Sequence, residues 1–358
     1  MAFALAHIVA VTVGSLLLSF GLRAGQPGYT VISRPSPVEV KAIYLTGNTV
    51  GLKVRRQALV DLVNATELNS MVIDLKDSTG RVFFSSGVPL ASEIGADRSV
   101  VKDLPEFVQS LKAQGIYSIG RIVVFQDPLL AAQKPGIAIQ STAGGLWRDW
   151  KGLAWVDPTE RLVWDYNLDL AKAAVKIGFD EINFDYIRFP SDGDIKKIVY
   201  ANLDKYGSKN ETMAAFYRYL DEQLQVLPIM TSADLFGMTL WRSDGLNIGQ
   251  RYEDAAAHFD FISPMVYPSH YSDGFEGFDN PAEHPYEIIY RSLIRAAQLA
   301  EKPRAKLRPW LQAFDLGATY TGEMIELEKQ ATADAGGQGW MLWNAANRYT
   351  AAGLAAAP

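Results

Sequence analysis

The chain of 358 residues is 48% hydrophobic and 21% charged, enough apolar material for a large core and too much for global disorder. Its formal charge of −6 argues against a nucleic-acid partner, which calls for a basic stripe. There is no cysteine, so disulfides, thiolate nucleophiles, iron–sulfur clusters and cysteine zinc sites are excluded, and four scattered histidines do not make an imidazole-rich metal centre.

Residues 2–22 carry no Asp, Glu, Lys or Arg. At about 1.5 Å per residue, a helix of that length spans roughly 30 Å of hydrocarbon. Residues 1–24 are therefore expected to be a signal peptide or membrane anchor, and 25–37 a turn-rich linker. This predicts an extracytoplasmic protein: periplasmic, secreted, or associated with the membrane through this segment. One domain is expected from 38 to 354.

Within that domain, strands are predicted at 40–46, 70–75, 117–125, 180–185, 227–233, 261–267, 306–314 and 339–344. Helical stretches lie between them. The first, 51–66, places Val54, Ala58, Leu62 and Val63 on one face, and a short alanine-rich helix is expected to end the chain. Strands alternating with helices imply a parallel sheet, and eight such units are the arithmetic of a closed (β/α)8 TIM barrel. No GxGxxG follows the first strand, and polar residues gather after many strands instead of at one switch point, which argues against an open doubly wound sheet.

The loop after the third strand, 124–163, is the longest insertion. In a barrel it lies at the C-terminal face, where substrates bind. It contains Trp147, Trp150 and Trp155, read either as a stacking wall for sugar rings or as the loop's own small core.

The most informative segment is FDEINFDYIRFP, 179–190. Strand alternation puts Asn183 and Asp185 on one face, Asp185 stands at the strand's C-terminal end, and Arg188 follows three residues later. Other strand ends supply Asp74, Asp77, Arg121, Asp234, Tyr267, His270, Arg308, Trp310, Asp315 and Trp343. Carboxylates and aromatic rings without a thiolate or histidine cluster point to glycosidic chemistry. That reaction needs one carboxylic acid to protonate the leaving oxygen and one carboxylate to attack or to activate water. No GxSxG, Walker A, HExxH or EF-hand pattern occurs, so no metal or cofactor is expected, and the partner is a carbohydrate.

VIDLKDSTG, GFDEINFDYIRFPSDG at 178–193, ISPMVYPSHY at 262–271 and RPWLQAF at 308–314 give the chain a resemblance to the putative glycosyl hydrolase domain family, once known only as a domain of unknown function and distantly amylase-like. The resemblance runs from Lys41 to Asn344. It implies a TIM barrel with Asp185 as nucleophile and Asp234 as acid/base. Tyr267 and Trp343 look like the sugar-contacting residues of chitinase-like barrels. The fourth-strand DxxDxDxE of that group reads here as Asp180, Asn183, Asp185 and Ile187, so a second reading stands beside the first: a non-catalytic carbohydrate-binding barrel of the cell envelope. Asp74, Asp77, Arg121, Trp155, Asn183, Arg188, Tyr267, His270, Trp310, Asp315 and Trp343 are the expected sugar contacts.

Overall fold

A computed structural model describes residues 34–300 and 303–358. The expected leader or anchor lies outside the described residues, among which no helix is long and apolar enough to cross a membrane.

The strands are β1 (Val40–Leu45), β2 (Ser70–Lys76), β3 (Tyr117–Val123), β4 (Glu181–Asp185), β5 (Met230–Phe236), β6 (Phe261–Met265), β7 in two pieces (Lys306–Leu307 and Trp310–Gln312) and β8 (Gly339–Trp343). Each pairs in parallel with its neighbour, and β8 pairs with β1 in the register Val40↔Gly339 to Ile43↔Leu342, which closes the barrel. The expected (β/α)8 architecture is therefore the one observed. Strand alternation produces two apolar layers. Side chains such as Ile43, Ile73, Ile182 and Phe184 point outward into the core shared with the helices. Val40, Ala42, Tyr44, Val72, Ile119, Trp310 and Met341 fill the interior.

Four local departures from the sequence reading have physical causes. β5 begins at Met230, three residues later than expected, because Pro228 cannot join a ladder and the pairing opens at Glu181↔Met230. That shift brings Asp234 inside the strand. The seventh segment is interrupted at Arg308–Pro309 for the same reason, and Arg308 lies in the barrel floor, not on the rim. Helix Lys53–Ala65 buries Leu59, Val60 and Val63, whereas Val54 is 87% exposed, so the expected apolar face is rotated. The alanine-rich tail is not helical. It runs as a strap whose backbone bonds reach Ala65 and Glu67, partners that a local reading cannot see.

A bulge in β2 between Asp74 and Lys76 alters which way the strand end faces. Asp74 stays inside. Lys76 turns outward and is fully buried, donating to Val123 O and Asn167 Oδ1 and pairing with Asp127 Oδ2 at 2.7 Å. Gly80, at φ +82°, gives Asp127 room, since a Cβ there would lie 2.1 Å from its Oδ1.

The barrel floor is sealed by Glu181 and Arg308, both fully buried. Arg308 binds both carboxylate oxygens, and Tyr117 adds a hydroxyl donor at 3.2 Å. Removing one partner strands a buried charge. Arg308→Met is therefore expected to lower stability by about 3–5 kcal/mol, while Glu181→Leu combined with Arg308→Met is close to neutral. Urea unfolding of the three proteins measures this, and an equal loss in single and double variants contradicts it.

Candidate active site

The C-terminal ends of β3, β4 and β5 bring Arg121, Asp185 and Asp234 side by side. The registers Val123↔Asp185 and Phe184↔Ala233 put these residues on adjoining strands with their side chains inside the barrel. Arg121 is the hub. Its Nη1 donates to Asp74 Oδ1 at 2.6 Å, and its Nε and Nη2 donate to Asp185 Oδ2 at 3.2 and 2.5 Å. Burial opposes the guanidinium's charge, but Asp74 and Asp185 outweigh it and hold its pKa above the ordinary value. Asp74 is fully enclosed, and burial pushes its pKa up to about 6 against the pull of Arg121 and the Tyr44 hydroxyl.

After β4 the chain turns sharply. Tyr186 has φ +51°, in the left-handed region that a residue with a large side chain seldom adopts. The turn aims its backbone N–H at Asp185 Oδ1, 2.6 Å away. Asp185 thus accepts from one backbone amide and from the fork of Arg121.

Asp234 is surrounded differently. Its Oδ1 accepts from Asn183 Nδ2 and Trp310 Nε1, both at 2.8 Å. Its Oδ2 is buried with no hydrogen-bond partner, and the nearest guanidinium nitrogen, Arg121 Nε, stands 3.9 Å off. Burial, then the negative charge of Asp185, raises its pKa well above the ordinary carboxylate range, with Arg121 pulling the other way. Two N–H donors occupy Oδ1, so the proton of the acid form belongs on Oδ2.

Above these groups opens a pocket of about 430 Å³ lined by both carboxylates, Arg121, Arg188 and a ring of apolar and aromatic side chains. Trp343 stacks on Tyr44 at 4.0 Å and 17°, and Trp310 meets both rings edge-on. Tyr267 packs edge-on against His270 and Phe314. Burial raises the Tyr267 pKa, as do Asp234 and Asp185, and burial lowers that of His270. The Tyr267 hydroxyl makes no hydrogen bond among the described residues, so it is free to meet a ligand. No group of three or more His, Asp or Glu side chains among the described residues converges as a metal site.

Of the expected contacts, Arg121, Arg188, Tyr267, His270, Trp310 and Trp343 line this pocket with Asp185 and Asp234. The others do not. Asp74 lies beneath Arg121 and anchors it. Asn183 is fully buried and spends its amide on Ser232 and Asp234. Asp77 closes a turn by accepting from Thr79 and Arg81. Asp315 accepts from the Tyr320 amide and borders a second cavity of about 300 Å³. Trp155 is buried, donates to Asp149, and backs Tyr186 and Arg188 from behind, so the 124–163 loop forms its own core instead of a stacking wall. Trp147 is likewise buried, its indole tied to Asp194 O, while Trp150 is exposed. Tyr44, Tyr186, Phe236, Met238 and Met265 were not among the expected contacts. Tyr44 and Tyr186 were within reach of sequence reasoning, Tyr44 by its inward parity on β1 and Tyr186 by following Asp185.

The shared guanidinium gives a test with a defined sign. In Arg121→Met, Asp74 and Asp234, whose pKa values burial already raises, lose the opposing pull of the guanidinium and rise further. Stability from the protonated form is then kept at low pH and lost as pH rises through those values. The variant is expected to lose about 3–5 kcal/mol near pH 7.5 and clearly less near pH 5. Urea midpoints at both pH values decide it; equal losses reject the shared-charge account.

Residues 42–349 match the family described as Putative glycosyl hydrolase domain. No curated protein matches the sequence. Among solved structures, a hypothetical protein from Ruminiclostridium thermocellum is 42% identical, the match covering 54% of this chain and 96% of that one at a TM-score of 0.50. The PgaB (BpsB) glycoside hydrolase domain from Bordetella bronchiseptica is 14% identical over 86% of this chain and 94% of that one, with a TM-score of 0.59. A class V chitinase from Pseudomonas fluorescens is 11% identical over 87% and 96%, with a TM-score of 0.51. Identities this low speak to the barrel fold alone. The family match spans far more than half of the chain and includes every pocket residue named above, and so the protein belongs to the Putative glycosyl hydrolase domain family.

Proposed function

We propose that this protein is a glycoside hydrolase in which Asp234 is the acid/base and Asp185 the carboxylate that attacks the anomeric carbon or activates water. One observation carries the reading. Two carboxyl groups on adjoining strand ends face one aromatic pocket from different electrostatic environments, Asp185 hydrogen-bonded to a guanidinium and Asp234 buried with that guanidinium 3.9 Å away and not hydrogen-bonded to it. A glycosidase needs this division, because one group must hold a proton for the leaving oxygen while the other stays anionic. In the acid form the proton would sit on Oδ2 of Asp234, since both donors it meets among the described residues are on Oδ1. Trp343, stacked on Tyr44, offers an aromatic face to a sugar ring, and the free hydroxyl of Tyr267 offers a hydrogen bond to a ring substituent. The uncharged run at 2–22 supports delivery of the activity to an extracytoplasmic polysaccharide.

Asp185→Asn keeps the shape and removes the charge. It is expected to fold normally and to lose about 10³-fold or more in kcat/KM, about 4 kcal/mol of transition-state stabilisation. Asp234→Asn is expected to be as damaging on natural linkages but much milder on aryl glycosides whose leaving groups need little protonation. Kinetics on both substrate types, with circular dichroism as a folding check, test the assignment. Near-normal turnover by folded Asp185→Asn removes it from the reaction.

Trp310 and Asn183 donate to Asp234 and so favour its charged form. Trp310→Phe deletes one donor and is expected to raise the acid's pKa further. The alkaline limb of the kcat/KM profile, where the acid loses its proton, should then move to higher pH. An unmoved limb excludes Asp234 as the titrating acid.

A further inference from the structure

We propose that the pocket takes a saccharide bearing an anionic substituent, a uronate-type carboxylate or an equivalent oxyanion, and that Arg188 selects it. The proposal rests on the hydrolase reading only in taking the ligand to be a saccharide.

Arg188 is 7% exposed and lines the pocket, yet no carboxylate of the described residues lies within ion-pairing distance of it. The contrast with Arg121, which holds two carboxylates by direct bonds, is sharp. Arg188 Nη1 donates to Phe189 O and Ser191 Oγ, both at 3.1 Å. Its Nε and Nη2 donate to nothing among the described residues, and neither is among the side-chain atoms sealed from solvent without a partner. The guanidinium is held by rings on several sides: Phe236 at 4.7 Å, Trp155 at 5.0 Å and Tyr186 at 5.1 Å. It is thus fixed in place with one edge open.

A desolvated cation without a counter-ion is costly, and burial accordingly lowers this guanidinium's pKa. An arginine remains charged even so. The Nε–Nη2 edge presents two parallel N–H donors, the spacing that a carboxylate, sulfate or phosphate matches in bidentate fashion. The pairing agrees. Both carboxylates that bond Arg121, Asp74 and Asp185, are spent on it, and neither is within ion-pairing distance of Arg188. Arg188 follows Asp185 by three residues, and its guanidinium covers Phe236, two residues beyond Asp234. The anion it holds therefore belongs to a sugar at or beside the reacting bond.

Calorimetry with the full-length protein tests this, using uronate oligosaccharides, the same oligosaccharides with their carboxyl groups reduced to alcohols, and sulfated neutral counterparts. The acidic forms are expected to bind about tenfold or more tighter than the reduced forms. Arg188→Gln should abolish that preference and Arg188→Lys should retain part of it. Tight binding of uronates alone assigns the edge to carboxylates, and equal binding of sulfated sugars assigns it to oxyanions generally. Equal affinity of the wild-type protein for acidic and reduced forms overturns the proposal, as does failure of every acidic probe to bind or a preference that survives in folded Arg188→Gln. The wild-type comparison stands even if the variants do not fold. Binding is read without turnover, so a protein that binds uronates but cleaves nothing sinks the hydrolytic reading alone. Cleavage of neutral glycans without preference sinks this one alone.

Discussion

A single buried guanidinium organises the site. Arg121 reaches Asp74 on one side and Asp185 on the other, and stops short of Asp234. Attraction inside a low-dielectric interior is steep in distance and in hydrogen-bond geometry. The carboxylates it touches are therefore held by direct bonds, and the one it does not is left with an unpartnered Oδ2. This asymmetry separates Asp185, charge-paired at the pocket, from Asp234, whose pKa burial and the charge of Asp185 raise well above the ordinary range, although both residues are aspartates. Were Arg121 moved by one strand position, the division would vanish.

The rest of the barrel keeps that guanidinium where it is. Tyr44 donates to Asp74 and faces the Arg121 guanidinium at 5.4 Å, while Trp343 stacks on Tyr44. The β2 bulge leaves Asp74 inside while sending Lys76 out to the β3 carbonyls, so one short segment serves both the inner site and the outer core. Val124 N donates to Asp185 O, and Phe125 N to Tyr186 O, which ties the exit of β3 to the strained turn after β4. The Glu181–Arg308 pair closes the opposite end, keeping both charges in an interior that would otherwise have to be apolar.

The two rim loops act as a buttress more than as a wall. Gln140–Ser141 of the long insertion pairs antiparallel with Ile198–Val199 of the loop after β4. Trp147 and Trp155 fill the space behind, and Trp155 supports the ring of Tyr186 and the guanidinium of Arg188. Tryptophans that a composition argument assigns to sugar binding here contribute by holding two pocket residues rigid, which lowers the ordering cost of any ligand that meets them.

Strand periodicity, the count of eight units and the strand-end position of Asp185 were all legible in the chain, because they depend on near-neighbour spacing and on the barrel's habit of exposing strand C-termini. The inward parity of Asn183 and Asp185 was legible for the same reason. What each inward polar residue touches was not. Asp74, Asp77, Asp234 and Asp315 are chemically identical in sequence. Only the folded chain buries Asp74 against Arg121, leaves Asp77 and Asp315 in loop turns, and seals Asp234 out of hydrogen-bond reach of any cation. Likewise Arg308 reads as a rim residue until Pro309 breaks its strand and Glu181, 127 positions away, receives it in the floor. Local sequence set which residues face inward, since side-chain direction follows the backbone's own repeat. Burial, pairing and protonation came from the tertiary structure, because they depend on charges and surfaces that chain closure brings together.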